Sequence, residues 1–128
     1  MIIGIGLDIV EIDRIDGVLK RQPAFVKRIL TEEEQRHIPD GSAARITEYI
    51  AGRFAAKEAM AKALGTGIGS ALRFHDIEVV REETGKPAVR LASHILERYT
   101  LARGILRIHL SISHSKEYAA AQVIIEQV

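Results

Sequence analysis

The chain opens on alternation. Residues 2–8, IIGIGLD, put Ile3, Ile5 and Leu7 on one side of an extended segment and Ile2, Gly4, Gly6 and Asp8 on the other, which predicts a buried strand. Asp8 ends a face that two glycines strip of side chains, and glycine within a strand marks close approach by another backbone or a ligand. Its simpler role would be to cap the next helix. Residues 9–30 carry a helical pattern broken at Gly17 and Pro23, so two short helices are expected. Within them Arg14, Val18, Arg21, Phe25 and Arg28 recur at spacings of four and three, a basic stripe with apolar residues between.

Thr31-Glu-Glu-Glu reads as a capping box opening a short helix that stops near Pro39-Asp-Gly. Ser42 opens a long helix to about Leu64, closed by Gly65. Phe74–Arg81 and Pro87–Leu91 read as strands around EETGK, a hairpin signal. A helix over Ala92–Arg103 ends at Gly104, and strands over Leu106–Ser113 and Tyr118–Glu126 flank His114-Ser-Lys-Glu. The pattern predicts an α+β fold, a small antiparallel sheet packed on one long helix, and 128 residues suit a single domain, 1–128.

Composition narrows the chemistry. Charged residues are 27% and apolar ones 47% of an ordinary globular chain. With no cysteine there are no disulfides, thiolate metal sites or cysteine nucleophiles, which fits a reducing compartment. MIIGIGLDIV lacks a basic leader and meets a charge at Asp8, so neither a signal peptide nor a membrane span is expected, and the default location is cytoplasmic. A net charge of +1 and 5% aromatic residues argue against nucleic acid as partner.

The stretch richest in chemistry is Arg53–Gly69, RFAAKEAMAKALGTGIG, where Glu58 and Lys62 share a helical row with Phe54, Ala55, Ala61 and Gly65. Their spacing is that of an ordinary i,i+4 ion pair. The small apolar neighbours would withdraw both charges from water, which is costly without partners. The glycines after Leu64 follow a helix C-terminus, where the dipole is negative, so cap and turn is their first reading. On the strand LRIHLSIS, His109, Ser111 and Ser113 share one polar face, either solvated or lining a phosphate or hydroxyl site. Two carboxylates, Asp8 and Glu58, without histidine or cysteine partners suit a hard cation. Mg²⁺ takes one or two carboxylates and completes its shell with water and substrate phosphate, and Lys62 would balance phosphate charge. That points to phosphoryl or pyrophosphate chemistry, provided Asp8 and Glu58 meet in space.

GIGLDIVEIDRI at 4–15, FAAKEAMAKALGTGIG at 54–69 and HLSISHSKEYAAAQVIIE at 109–126 resemble the holo-acyl-carrier-protein synthase family of 4′-phosphopantetheinyl transferases. ILTEEE, FHDIEV and GKP also fall in register, so the resemblance runs essentially end to end. It implies transfer of the phosphopantetheine arm of coenzyme A to a serine of apo-acyl carrier protein, with release of 3′,5′-ADP, in support of fatty acid biosynthesis. Asp8 and Glu58 match the family's Mg²⁺ ligands, Lys62 its phosphate lysine, and Glu58, directly or through a metal-bound water, is the expected route for the serine proton. Gly65, His109, Ser111 and Ser113 fall on the coenzyme A pocket beside Lys62. Arg14, Arg21, Phe25 and Arg28 fall where the family grips its acidic carrier protein. The resemblance also implies a homotrimer with sites at subunit interfaces. The rival enzyme would be a Mg²⁺-dependent phosphohydrolase of coenzyme A or nucleotides. The rival outside catalysis is a binding module for an acidic helix, with Glu58–Lys62 a structural pair.

Overall fold

A computed structural model describes all 128 residues. Strand β1 (Ile2–Glu11) leads into helix α1 (Ile12–Arg21), then α2 (Phe25–Ile29), α3 (Glu32–Arg36) and the long α4 (Ala43–Leu64). A 3-10 turn at Phe74–Asp76 precedes β2 (Ile77–Arg81) and β3 (Pro87–Leu91), followed by α5 (Ser93–Arg103), β4 (Leu106–His114) and β5 (Tyr118–Gln127). The expected single sheet is two antiparallel sheets, one of order β1-β5-β4 and one of β2-β3. Pro23 does divide α1 from α2. Residues 74–76 turn instead of extending, because the Asp76 side chain accepts from the Arg73 amide at 2.8 Å.

The caps set the helix limits. Thr31 and Glu34 exchange side-chain and backbone bonds at the start of α3, and Ser42 accepts from the Arg45 amide at the start of α4. Gly65 ends α4 in the left-handed region at φ 79°, which only glycine adopts without cost.

From Ile50 onward α4 is buried on nearly every side, so it has no single apolar stripe. Its alanines are the reason it can sit at the centre. Gly6 and Gly4 of β1 lie directly on the carbonyls of Ala59 and Ala63, so close that a Cβ on either glycine would overlap them. Strand and helix backbones are thus in contact. On β5, Ala119, Ala121, Val123 and Ile125 face α4 and are fully buried. The core continues through Met60, Leu72, Ile77, Ile95 and Leu110, while Ile12, Ile15, Ile29, Leu30 and Ile50 form a second cluster under α1 and α2.

The expectation of a buried β1 holds for one face only. The glycine face is covered, while Ile5, Leu7 and Ile9 on the other face are 61%, 60% and 64% exposed. Helix α4 can approach only the side without side chains, and nothing in the chain covers the bulky side.

Candidate active site

Asp8 and α4 meet because of the glycines. With β1 seated on Ala59 and Ala63, the strand delivers Asp8 to the flank of α4 that carries Glu58 and Lys62. Lys62 Nζ donates to Asp8 Oδ1 at 3.0 Å and to the Leu7 carbonyl at 2.9 Å. The partner of Lys62 is therefore Asp8, across the strand–helix contact, and not Glu58 along the helix as spacing had suggested. Asp8 keeps a side-chain exposure of 17%, while Lys62 is half-exposed.

Glu58 is half-buried, and its carboxyl is held above the ordinary range, chiefly by burial and secondly by the negative charge of Asp8, with Lys62 opposing. A carboxylate whose ionisation is opposed by burial and by a second carboxylate beside it is a place where a cation is welcome. No third carboxylate, histidine or cysteine joins them in a metal-ligating cluster. The donor set is thus one of oxygen only and incomplete. That fits Mg²⁺, which retains water and takes substrate phosphate, better than a transition metal. Gly65 lies one turn beyond Lys62, where Gly65, Thr66 and Gly67 amides close the helix end onto the Ala61 and Lys62 carbonyls. The glycine turn is the cap expected, placed beside the site.

His109, Ser111 and Ser113 do not join Asp8 within one chain. Asp8 pairs with Ala121 and Ala121 with Ile112, so Ile112 shares the α4 side of the sheet. The odd-numbered residues of β4 lie on the opposite side, in rows with Ile5, Leu7 and Ile9 through Ile124, Gln122 and Ala120. There His109 Nε2 lies 2.8 Å from Glu126, whose carboxyl it holds below the ordinary range.

Arg14, Arg21 and Arg28 are all exposed on α1 and α2, and none forms an ion pair within the chain. Phe25 is half-buried in a row of tilted rings, 5.8 Å from Phe54, which is itself 5.8 Å from Phe74. Arg28 also lines an opening of about 420 Å³ with Ile68 and Phe74. The basic stripe is a real surface of unpaired cations with an aromatic floor.

Two features escaped the sequence reading. One is a cleft of about 950 Å³ whose lining sets Arg45, Arg53, Arg81, Arg90, His37 and His114 among Glu33, Glu48 and Glu78. Arg53 is only 7% exposed, its guanidinium lies 4.1 Å from the centre of the Tyr49 ring, and its Nε has no hydrogen-bond partner. A buried, incompletely satisfied guanidinium at the wall of a cleft is suited to an anion. The signal was present as Arg45, Tyr49 and Arg53 at four-residue spacing, one row of α4. The other is Lys57, which precedes Glu58 in the sequence but lies wholly inside, paired with Glu34 at 2.6 Å.

Comparison with known proteins agrees with this geometry. Residues 4–123 match the family model described as the 4′-phosphopantetheinyl transferase superfamily. The holo-(acyl-carrier-protein) synthase of Anoxybacillus flavithermus is 51% identical over 128 residues, covering 100% of this chain and 98% of that one. The solved holo-(acyl-carrier-protein) synthase of Bacillus anthracis, in complex with CoA (3′,5′-ADP), is 46% identical with a TM-score of 0.84, covering 100% of this chain and 99% of that one. That of Helicobacter pylori, in complex with coenzyme A, is 34% identical with a TM-score of 0.83 over 95% of this chain and 99% of that one. The chain belongs to the 4′-phosphopantetheinyl transferase superfamily.

Proposed function

We infer that this chain is a holo-acyl-carrier-protein synthase, moving 4′-phosphopantetheine from coenzyme A to a serine of apo-acyl carrier protein and releasing 3′,5′-ADP, a step that serves fatty acid biosynthesis. The observation that carries the reading is the convergence of Asp8, Glu58 and Lys62 at the strand–helix contact. The full-length likeness to holo-(acyl-carrier-protein) synthases supports it.

Asp8 and Glu58 would hold Mg²⁺, which supplies charge neutralisation at the pyrophosphate of coenzyme A. Lys62, already fixed by Asp8 and the Leu7 carbonyl, is placed to donate to a phosphate oxygen as charge grows on the departing 3′,5′-ADP. The serine Oγ attacks the phosphorus that bears pantetheine, the bond from that phosphorus to the bridging oxygen breaks, and the serine proton passes to Glu58. The cleft at Arg53, whose buried guanidinium keeps an unused donor, would take the phosphorylated nucleotide end of coenzyme A. Arg14, Arg21 and Arg28, with Phe25, would take the acidic carrier protein, since complementary charge steers association while the ring supplies burial.

The test is the intact mass of an apo-acyl carrier protein after incubation with this protein and coenzyme A, with Mg²⁺ or with EDTA. A gain of one phosphopantetheine only with Mg²⁺ is expected. Consumption of coenzyme A with no gain on the carrier would instead support hydrolysis and overturn transfer.

The working unit in this reading is a homotrimer. Ile5, Leu7 and Ile9 form an exposed apolar row on the side of the sheet that bears His109, Ser111 and Ser113. Such a row marks a contact surface. Packing between copies is also what would bring those β4 residues to the carboxylates of another subunit, which they cannot reach in their own. Leu7→Arg is expected to give a monomer by sedimentation and to lose transfer activity. A trimeric or fully active variant would refute this use of the face.

A further inference from the structure

Lys57 and Glu34 are both without solvent exposure on their side chains, and the transfer reaction as described uses neither. The Lys57 ammonium donates to Glu34 Oε1 at 2.6 Å, to the Ile29 carbonyl at 2.5 Å and to the Phe74 carbonyl at 3.2 Å. Its three donors are therefore all used. Glu34 further accepts from the Thr31 and Val79 amides, each at 2.8 Å. One ion pair thus ties α4 to the end of α2, to α3, to the 3-10 turn and to β2.

Burial holds the Lys57 ammonium below its ordinary range, and Glu34 offsets that cost only in part. A pair of this kind contributes little net stability compared with apolar residues of similar volume, because desolvation offsets the attraction. What an apolar pair could not supply is direction, since each bond fixes a particular backbone group. Those groups are significant. Ile29 follows Arg28 on α2, Phe74 is the end ring of the row that starts at Phe25, and Lys57 immediately precedes Glu58. The pair joins the basic, aromatic surface to the carboxylate-bearing helix by hydrogen bonds to the Ile29 and Phe74 carbonyls, beside the ring contacts of Phe54.

We propose that the Glu34–Lys57 pair is a positioning device that holds the α2 surface in register with Glu58, so that the serine of a docked carrier protein arrives at the reacting phosphorus. Lys57 and Glu34 touch no substrate and act through Arg28, Phe25 and Phe74. The inference rests on the reading of α1 and α2 as the carrier-protein dock.

The experiment is steady-state kinetics with apo-acyl carrier protein and coenzyme A varied separately, on Lys57→Met together with Glu34→Gln, and on Glu34→Gln alone. Folding is checked by thermal melting and by binding of 3′,5′-ADP. In the double variant the KM for carrier protein should rise about tenfold, with the KM for coenzyme A unchanged. Glu34→Gln leaves the Lys57 bonds to Ile29 and Phe74 available and should give a smaller rise in the same constant, which decides the matter if the double variant does not fold. A folded variant with an unchanged carrier-protein KM, or with both KM values raised alike, overturns the proposal. Arg28→Glu in the otherwise native chain separates the two claims. If it leaves the carrier-protein KM untouched, the dock lies elsewhere and the premise falls first.

Discussion

Glu58→Gln should abolish phosphopantetheine transfer while making the metal-free protein more resistant to heat at neutral pH. The two effects have one cause. Burial, then the charge of Asp8, raise the proton affinity of Glu58 in the folded state above that in the unfolded chain. A group raised in this way favours the fold below its ordinary carboxylate value, and that contribution is lost as pH rises through the folded value. At neutral pH the ionised Glu58 therefore burdens the metal-free fold, and the neutral amide removes the burden. Activity is lost because glutamine neither neutralises a cation nor accepts the serine proton. Asp8→Ala should likewise reduce turnover by at least about a hundredfold, the order found when one transition-state charge partner is removed. Mass spectrometry of the carrier protein measures the first effect and melting curves from mildly acidic to neutral pH the second. Normal turnover by either variant would remove the carboxylate assignment. A Glu58→Gln protein that melts lower than the native one at neutral pH would refute the electrostatic account.

Gly6→Val should prevent folding, and Gly6→Ala should cost about 3 kcal/mol, the upper end for forcing extra volume into a packed site. A Cβ at residue 6 would overlap the Ala59 carbonyl and lie 2.8 Å from both the Ala59 carbonyl carbon and the Ala63 nitrogen. Those atoms belong to the backbone of the central helix and cannot rotate away. The strand would have to lift, which also separates Asp8 from Lys62. Urea denaturation gives the stability, and Gly69→Ala is the control, since nothing lies within 4 Å of a Cβ there. A Gly6→Ala protein with the native midpoint would show that strand and helix are less closely seated than described.

Local chemistry was legible in the sequence wherever a few neighbouring residues decide the outcome. Thr31 with Glu34, Ser42, Pro23 and Gly65 each mark a boundary through their own hydrogen bonds or backbone limits, and each boundary is where it was expected. The glycine face of β1 was read as a site of close approach, and it is one. What alternation does not reveal is which of two faces a distant helix will cover. The apolar Ile5 and Leu7 suggested the buried side, yet contact between backbones required the empty one. Lys62 found Asp8 in preference to Glu58 for a similar reason, since the choice depends on where β1 crosses α4. Lys57 is indistinguishable from Lys62 by composition of its surroundings, and only the placement of Glu34, from a separate helix, makes it an interior residue. His109 could be assigned to a strand face from parity, but the relation of that face to Asp8 depends on the pairing of β5 between β1 and β4.

The central position of β5 also governs how the chain can be made. β1 pairs with β5 along its whole length, residue 2 meeting residue 126, and the Met1 amino group bonds to the Gln127 carbonyl. On the ribosome the isoleucine-rich β1 emerges early and must wait, without its partner strand, until β5 has cleared the exit tunnel. Helices α1 to α4 are available meanwhile to shield its glycine face, but its unpaired edge and its Ile5, Leu7 and Ile9 face are not covered by them. Such distant pairing makes the closing step slow relative to helix formation. Nascent chains stalled before Tyr118 should therefore hold β1 in a form accessible to chaperones, and release of β5 should be the event that ends that exposure.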